Sequence, residues 1–235
     1  SSENLLKAIW GFALDGYPIT EKRLKDLEHE TGLKPGIVVF FIQWPSSEHK
    51  QRNDFPKETL ESIWKADAIP CITWEPMFYR NNVETMISHD HILKGDYDAY
   101  IVSFAKQAKA WGKPIIIRFA HEMNLERYHW GTNKEDYGHE SPVIYRNIFR
   151  YVVSIFKRVG ADNVLWAFCP NAESVPNTSY DKNAGWNKIN NYYPGNEYVD
   201  IIGIDGYNWG TTQNKEKNGW ESQWKSFYDI FKPAY

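Results

Sequence analysis

The chain has 235 residues, with 27 Lys and Arg against 30 Asp and Glu, a net charge of -3. That length suits one large α/β domain, and the near-even charge excludes the basic footprint of a nucleic-acid binder or of a protein held on anionic membranes. No apolar run approaches the roughly 18 residues of a transmembrane helix, and two cysteines are too few for a disulfide framework, so Cys71 and Cys169 are expected as free, buried thiols. The opening Ser-Ser-Glu-Asn has no leader pattern, as in a cytoplasmic protein or a mature, trimmed one.

The first expected strand is 6–14, stopped by Asp15-Gly16. Thr20 then offers a helix cap, Leu24 and Leu27 sit at helical spacing, and Gly32 closes the helix. Residues 37–42 (IVVFFI) form the most strand-like segment, and a helix follows over 57–65. The third strand, 69–74, exits through Trp74-Glu75-Pro76 into a loop of about 20 residues, a length usually reserved for function. Asp96 is expected to cap a helix bearing Tyr100, Ile101, Phe104 and Ala108 on one stripe and stopping at Trp111-Gly112. The fourth strand is the centre of the chain: Lys113-Pro114 launches Ile115-Ile116-Ile117, which ends in Arg118, His121, Glu122 and Asn124. An apolar β-branched run of this kind suits a parallel strand buried on both faces. Ser141-Pro142 is read as cap and first residue of a helix over 143–159, ended by Gly160. A fifth strand over 164–168, a sixth over 199–204 and a helix over 220–231 complete the series.

Strand and helix thus alternate six times, which implies a parallel sheet. The loaded loops all follow strands and the returns from helix to strand are short, the asymmetry of a (β/α)8 barrel. A doubly wound sheet is the alternative, but no glycine-rich phosphate loop follows the first strand. The expectation is a single domain over 1–235 with six of the eight βα units of a TIM barrel, incomplete at its C-terminal side.

Glu122, behind a buried strand, flanked by His121 and Asn124 and shadowed by Trp130, is the first candidate for chemistry: partial desolvation would raise its pKa toward a value useful for protonating a leaving oxygen. Arg118 would share its face if the strand stayed regular, and could ionise a second carboxylate. Asp205 and Tyr207 alternate onto one face at the end of the sixth strand, where the tyrosine could stabilise an anion. Glu75 and Glu173 read as solvated loop acids. Trp74, Trp130 and Trp209 stand beside these groups, and 11 Trp, 15 Tyr and 12 Phe offer flat apolar faces suited to sugar rings. Metal chemistry is not expected, since His121-Glu122 lacks a second histidine at Leu125 and nothing completes a set with His89 and His91.

Arg118-x-x-His121-Glu122-Met123-Asn124, supported by Trp10-Gly11, Trp74-Glu75, Trp166, Pro170-Asn171 and Asp205-x-Tyr207, resembles glycoside hydrolase family 26, a (β/α)8 family of retaining β-glycanases that includes mannanases, lichenases and β-1,3-xylanases. The resemblance implies Glu122 as general acid/base, Arg118 and His121 as site residues, and Tyr207 as the group that positions the nucleophile. It also implies a nucleophilic Glu on a seventh strand, for which the six units ending at Tyr235 leave no place, so that the nucleophile, or a complementary C-terminal fragment, would lie outside the chain. The expected activity is endo-hydrolysis of a plant polysaccharide, first β-1,4-mannan, alternatively mixed-linkage β-glucan, by a secreted enzyme without cofactor or metal. Two other readings are a carbohydrate-binding pseudoenzyme and an inverting pair of Glu122 with Asp205, the latter requiring a separation of roughly 6.5–9.5 Å.

Overall fold

A computed structural model describes residues 8–46 and 54–234. Six strands make one parallel sheet in the spatial order β1 (Gly11–Ala13), β2 (Ile37–Gln43), β3 (Ile69–Glu75), β6 (Ile115–Phe119), β7 (Val164–Phe168) and β8 (Ile201–Ile202). Between β3 and β6 the chain inserts an antiparallel hairpin, β4 (Met77–Arg80) with β5 (Val83–Met86). Strands that add to the sheet in chain order, always on the same side, curl toward a barrel. A doubly wound sheet would reverse direction at its first strand, so the in-order sheet removes that alternative.

The two-residue period of a strand sorts its side chains onto two faces, and in this sheet each face has its own core. Val38, Phe40, Ile42, Ile72, Trp74, Ile115, Ile117, Phe119, Trp166 and Phe168 point outward into one large apolar core. The helices lie over that face: α1 (Glu21–Thr31), α2 (Lys57–Lys65), α4 (Asp98–Trp111) and α5 (Ser141–Val159) return the chain between strands. Their stripes explain why: Leu60 and Ile63, Ile101 and Phe104, and Phe149, Val152 and Phe156 are fully buried there, each worth about 1.5–3 kcal/mol of transfer free energy. The opposite, lumen-facing residues form a small second cluster of Cys71, Ile116 and Ala167, against which Ile37, Val39, Ile69, Leu165 and Ile201 are only partly buried.

Three helix boundaries are written in residue chemistry. Thr20 Oγ1 accepts the Arg23 amide hydrogen at 3.2 Å to start α1, and Gly112 and Gly160, at φ of 75° and 77°, end α4 and α5 in the left-handed region that glycine enters without steric cost. Two predicted caps differ. Asp96 does not cap α4, which begins at Asp98 behind Tyr97, because its carboxylate faces His91 Nδ1 at 2.6 Å. Ser141 lies inside α5 rather than before it, and its Oγ accepts from the Gly138 amide at 2.9 Å.

The expected first strand shrinks to β1, and its residues 6 and 7 fall outside the described chain. The long loop after β3 is instead built from the hairpin and the short helix α3 (His89–Leu93). The loop after β7 folds around a 3-10 turn at Ala184–Asn187 and α6 (Ile189–Tyr192). The sixth strand is regular only in β8, but its chain stays beside β7: Gly203 donates to the Phe168 carbonyl and Asp205 to the Pro170 carbonyl, each at 2.9 Å. The helix expected over 220–231 is broken. Gly219, at φ 76°, ends α7 (Lys215–Asn218), and only Phe227–Phe231 (α8) is helical after Ser226, whose Oγ accepts from the Asp229 amide.

Candidate active site

The lumen-facing rows of β2, β3 and β6 are apolar at their start and polar at their carboxyl ends. Gln43 ends the row of Ile37, Val39 and Phe41, while Thr73 and Glu75 follow Cys71, and Arg118 follows Ile116. The same parity turns Trp74 outward. It is 0% exposed, its indole Nε1 donates to the Tyr100 hydroxyl at 3.2 Å, and its ring lies 4.6 Å from that of Phe104. Trp74 is therefore a core residue and does not line the cleft.

Glu122 sits just beyond β6, where the strand gives up its regular form. Ala120 and Glu122 both adopt positive φ, 47° and 53°, a conformation that costs a non-glycine residue on the order of 1 kcal/mol and concentrates at functional sites. Neighbouring strands hold it: Ala120 donates to the Trp74 carbonyl at 3.0 Å and Glu122 to the Cys169 carbonyl at 2.8 Å. The Glu122 side chain is buried, and Oε1 accepts a hydrogen bond from Asn171 Nδ2 at 3.0 Å. Burial raises its pKa above the usual carboxylate range; the Asn171 bond acts in the opposite direction, and the Asp205 charge reinforces the rise. A carboxyl group so placed retains its proton longer than a surface acid, as a general acid requires.

Asn171 is in turn fixed by Asn124. Its backbone amide donates to Asn124 Oδ1 at 2.8 Å, and its carbonyl accepts from Asn124 Nδ2 at 2.9 Å. The carbonyl of fully buried Asn124 also receives Val175 N–H at 2.9 Å and Asn187 Nδ2 at 3.1 Å. The asparagine after His-Glu-Met thus anchors the whole loop that aims Asn171 at the acid.

Arg118 and Asp205 meet across the sheet, Nη1 to Oδ2 at 2.5 Å, with 14% and 21% of their side chains exposed. Arg118 Nε donates to Thr73 Oγ1 at 3.0 Å, and the Cys169 thiol donates to Asp205 Oδ1 at 3.3 Å. Both cysteines are free and buried as expected, and burial pushes the Cys71 thiol up to about 12. The guanidinium does engage a second carboxylate. Asp205 is committed to this pair, and Glu122, His121 and Asp205 each bring an oxygen or nitrogen within 4.8 Å of the others.

His121 is buried against the rings of Tyr128 at 4.8 Å and Phe41 at 6.2 Å, and its Nδ1 has no hydrogen-bond partner among the described residues. Burial, with Arg118 and Arg127 nearby, lowers its pKa well below 6.5, so the ring is neutral at neutral pH. Trp130 does not line the cleft either. It is buried, donates from Nε1 to the His121 carbonyl at 2.7 Å and stacks on Tyr128 at 4.9 Å, so it braces the backbone before Glu122. His89 and His91 are held elsewhere, by the Gly131 carbonyl and by Asp96.

Tyr207 and Trp209 face solvent, 64% and 49% exposed, and with Trp220 and Asn171 they line a cavity of about 570 Å³ beyond Glu122. Glu173 lines the same cavity as a loop acid. Glu75, by contrast, is not a solvated loop acid. It is buried, accepts from Gln43 Nε2 at 2.5 Å, and burial raises its pKa from an ordinary 4.5 to about 7. Gln43, Glu75 and Asn171 were not singled out as site residues from sequence. Strand parity carries the signal for the first two, each being the polar end of an otherwise apolar lumen row; for Asn171 there is only its place after Pro170.

A partly closed parallel α/β barrel with a buried, proton-retaining carboxylic acid at the end of its central strand, beside an aromatic-lined cleft, has the architecture of a barrel glycosidase. The comparisons with known proteins agree. A model of Glycosyl hydrolase family 26 matches residues 71–234, and the chain belongs to that family. It is 38% identical over 223 residues to Endoglucanase H of Acetivibrio thermocellus, covering 92% of this chain and 21% of that protein. It is 30% identical over 169 residues to a mannan endo-1,4-beta-mannosidase of Bacillus subtilis, covering 63% of this chain and 43% of that protein. The chain therefore spans less than half the length of these relatives. Among solved structures it superimposes on a Bacillus subtilis mannanase with a TM-score of 0.64 at 20% identity, covering 85% of this chain and 63% of the other. That likeness establishes the fold, a partial (β/α)8 barrel.

Proposed function

We propose that the chain carries the acid/base half of an endo-acting, retaining β-glycanase, with β-1,4-mannan as its preferred substrate. The observation that carries the reading is Glu122 itself: buried, raised in pKa, and gripped by a single amide donor at the end of the central strand. Protonated Glu122 delivers its proton to the departing glycosidic oxygen as the bond breaks. The resulting carboxylate then takes a proton from the water that hydrolyses the glycosyl-enzyme. Asn171 stabilises the anionic form through that second half-reaction. Arg118 holds Asp205 in place beside the reaction centre, and the exposed rings of Tyr207 and Trp209 supply apolar platforms for sugar. The nucleophile of the retaining mechanism is assigned to none of the described residues. A polymer as substrate implies action outside the cell.

Relatedness to mannan endo-1,4-beta-mannosidases supports mannan. The 38% identity with Endoglucanase H supports a second reading, a β-glucan. Release of reducing ends from β-mannan and from mixed-linkage β-glucan, measured side by side on the full-length natural protein, separates them. Glu122→Ala should slow polysaccharide hydrolysis by about 10²–10⁴-fold and hydrolysis of an activated aryl glycoside, whose leaving group needs no proton, far less. Equal losses on both substrates would remove Glu122 from the acid role. Glycan binding without any hydrolysis would identify a carbohydrate-binding pseudoenzyme instead.

A further inference from the structure

The chain leaving β6 and the chain leaving β8 bring together three groups that no spacing motif connects. One ring nitrogen of His121 and one carboxylate oxygen each from Glu122 and Asp205 all lie within 4.8 Å of one another. The backbones of the two acids hang on the same neighbouring segment: Glu122 donates to the Cys169 carbonyl at 2.8 Å and Asp205 to the Pro170 carbonyl at 2.9 Å. Asp205 is oriented further by Arg118 Nη1 on Oδ2 and by the Cys169 thiol on Oδ1. His121 is 3% exposed, and its Nδ1 has no hydrogen-bond partner among the described residues. A histidine tautomer is fixed by the hydrogen bond that the other ring nitrogen makes. None is made through Nδ1 here, so the ring is free to present a lone pair to the acids.

We propose that His121, Glu122 and Asp205 form a zinc site, in which the ion takes the three side chains and a water. The proposal rests, for its consequence, on the reading of Glu122 as the acid of a glycanase. Coordination releases the Glu122 proton to solvent, and a zinc-bound carboxylate has none to give a leaving oxygen, so the ion is a reversible inhibitor and serves no step of hydrolysis. Three observations point to zinc. The donors are one imidazole nitrogen and two carboxylate oxygens with a fourth position open, the make-up of a three-ligand zinc centre and not of the all-oxygen shells of calcium and magnesium. The separations are within reach, since bonds of about 2.0–2.1 Å in a tetrahedral shell put neighbouring donors roughly 3.3 Å apart, a closure of about 1.5 Å at most. Asp205 already has what a ligating carboxylate needs, hydrogen bonds on both oxygens that fix its direction. Against the ion stands the Arg118 guanidinium, 2.5 Å from Asp205. The two carboxylates outweigh that charge, but it makes the site weaker than a structural zinc centre.

The test titrates zinc chloride calorimetrically into the full-length natural protein and into its His121→Phe and Glu122→Gln variants. Each variant nearly keeps the side-chain volume while removing or neutralising a ligand, and near-UV circular dichroism checks that it folds. Both should bind zinc more weakly, by more than the roughly 10–100-fold that loss of an outer-shell partner costs, and magnesium chloride should not take the place of zinc. Polysaccharide hydrolysis by the unaltered protein should fall as zinc is added and return when a chelator removes it. Zinc affinity unchanged in either folded variant, or no zinc binding at all, would overturn the site. Failure of the underlying reading looks different: zinc would bind and be lost in the variants, while hydrolysis ran on unimpeded by the bound ion.

Discussion

The hydrogen bond from Asn171 to Glu122 sets how basic the solution can become before the acid is lost. Asn171 Nδ2 lies 3.0 Å from Glu122 Oε1 and stabilises the charged form, opposing the rise caused by burial. A hydrogen bond to a charged group is worth about 1.5–3 kcal/mol, and here it favours the ionised form of Glu122. Water will refill part of the vacated position in Asn171→Ala, so the expected shift is upward but smaller than loss of the whole bond would give. The backbone survives the change, because Asn124 grips Asn171 through its amide and carbonyl, at 2.8 and 2.9 Å. The lost contact besides Glu122 is the turn in which Asn171 Oδ1 accepts from the Glu173 amide at 3.1 Å. A general acid must be protonated, so kcat/KM falls as pH rises through the pKa of Glu122, and this basic limb reports the free enzyme. Asn171→Ala should move the basic limb upward, whatever happens to the maximal rate. A limb that stays in place, or moves down, would refute the assignment of Glu122 as the acid or of Asn171 as its modulator.

Glu75 makes a separate prediction about stability. Its folded pKa of about 7 lies above the ordinary 4.5, so the folded state holds the proton more tightly than the unfolded one. The stabilisation is fully present below about pH 4.5 and is lost as pH rises through about 7. Urea unfolding should therefore show Glu75→Gln gaining on the wild type between pH 5 and pH 8 by on the order of 2–3 kcal/mol, and an advantage that shrinks with pH would sink the assignment. Arg118→Met should destabilise by about 2–4 kcal/mol, since it strands Asp205 in a mostly buried setting; adding Asp205→Asn should recover part of that loss, and strict additivity in the double variant would show that the pair is not coupled. Trp74→Ala should cost about 3–5 kcal/mol through the cavity it leaves in the outer core, whereas Trp209→Ala should change the unfolding midpoint little and weaken polysaccharide binding. The reverse pattern would restore Trp74 to the cleft.

Much of the fold was legible because the barrel writes itself in strand-helix alternation and in the chemistry of its returns. Gly32, Gly112 and Gly160 stop helices where the sequence places them, and β2, β3, β6 and β7 fall within a residue or two of their apolar runs. The terminal elements were harder. The sixth strand has a neighbour on one side only, and beyond β8 its pairing continues as single hydrogen bonds rather than as a ladder. At the site, Arg118, Glu122 and Asp205 converge as their strand-end positions suggested, and Tyr207 and Trp209 stand exposed on the cleft. The misplacements came from reading proximity in sequence as proximity in space. Trp74 and Glu75 are consecutive, yet a strand sends them to opposite faces, so the aromatic belongs to the core and the acid to the cleft. The aromatic character of Trp130 suggests a platform, but its buried indole donates to the His121 carbonyl instead.

The two faces of the sheet differ in completeness, and this bears on where the molecule will breathe. The acid is mounted on β6, which is paired on both sides by β3 and β7 and backed by the fully packed outer core. β1 and β8 each have a single partner, and the lumen cluster is only partly buried. Amide hydrogens of Ile115–Phe119 should accordingly exchange with solvent only on global unfolding, while those of β1 and β8 exchange through local opening at far lower cost. Glu122, the proposed proton donor, thus follows directly on the strand expected to exchange slowest, away from fluctuations at the edges of the sheet.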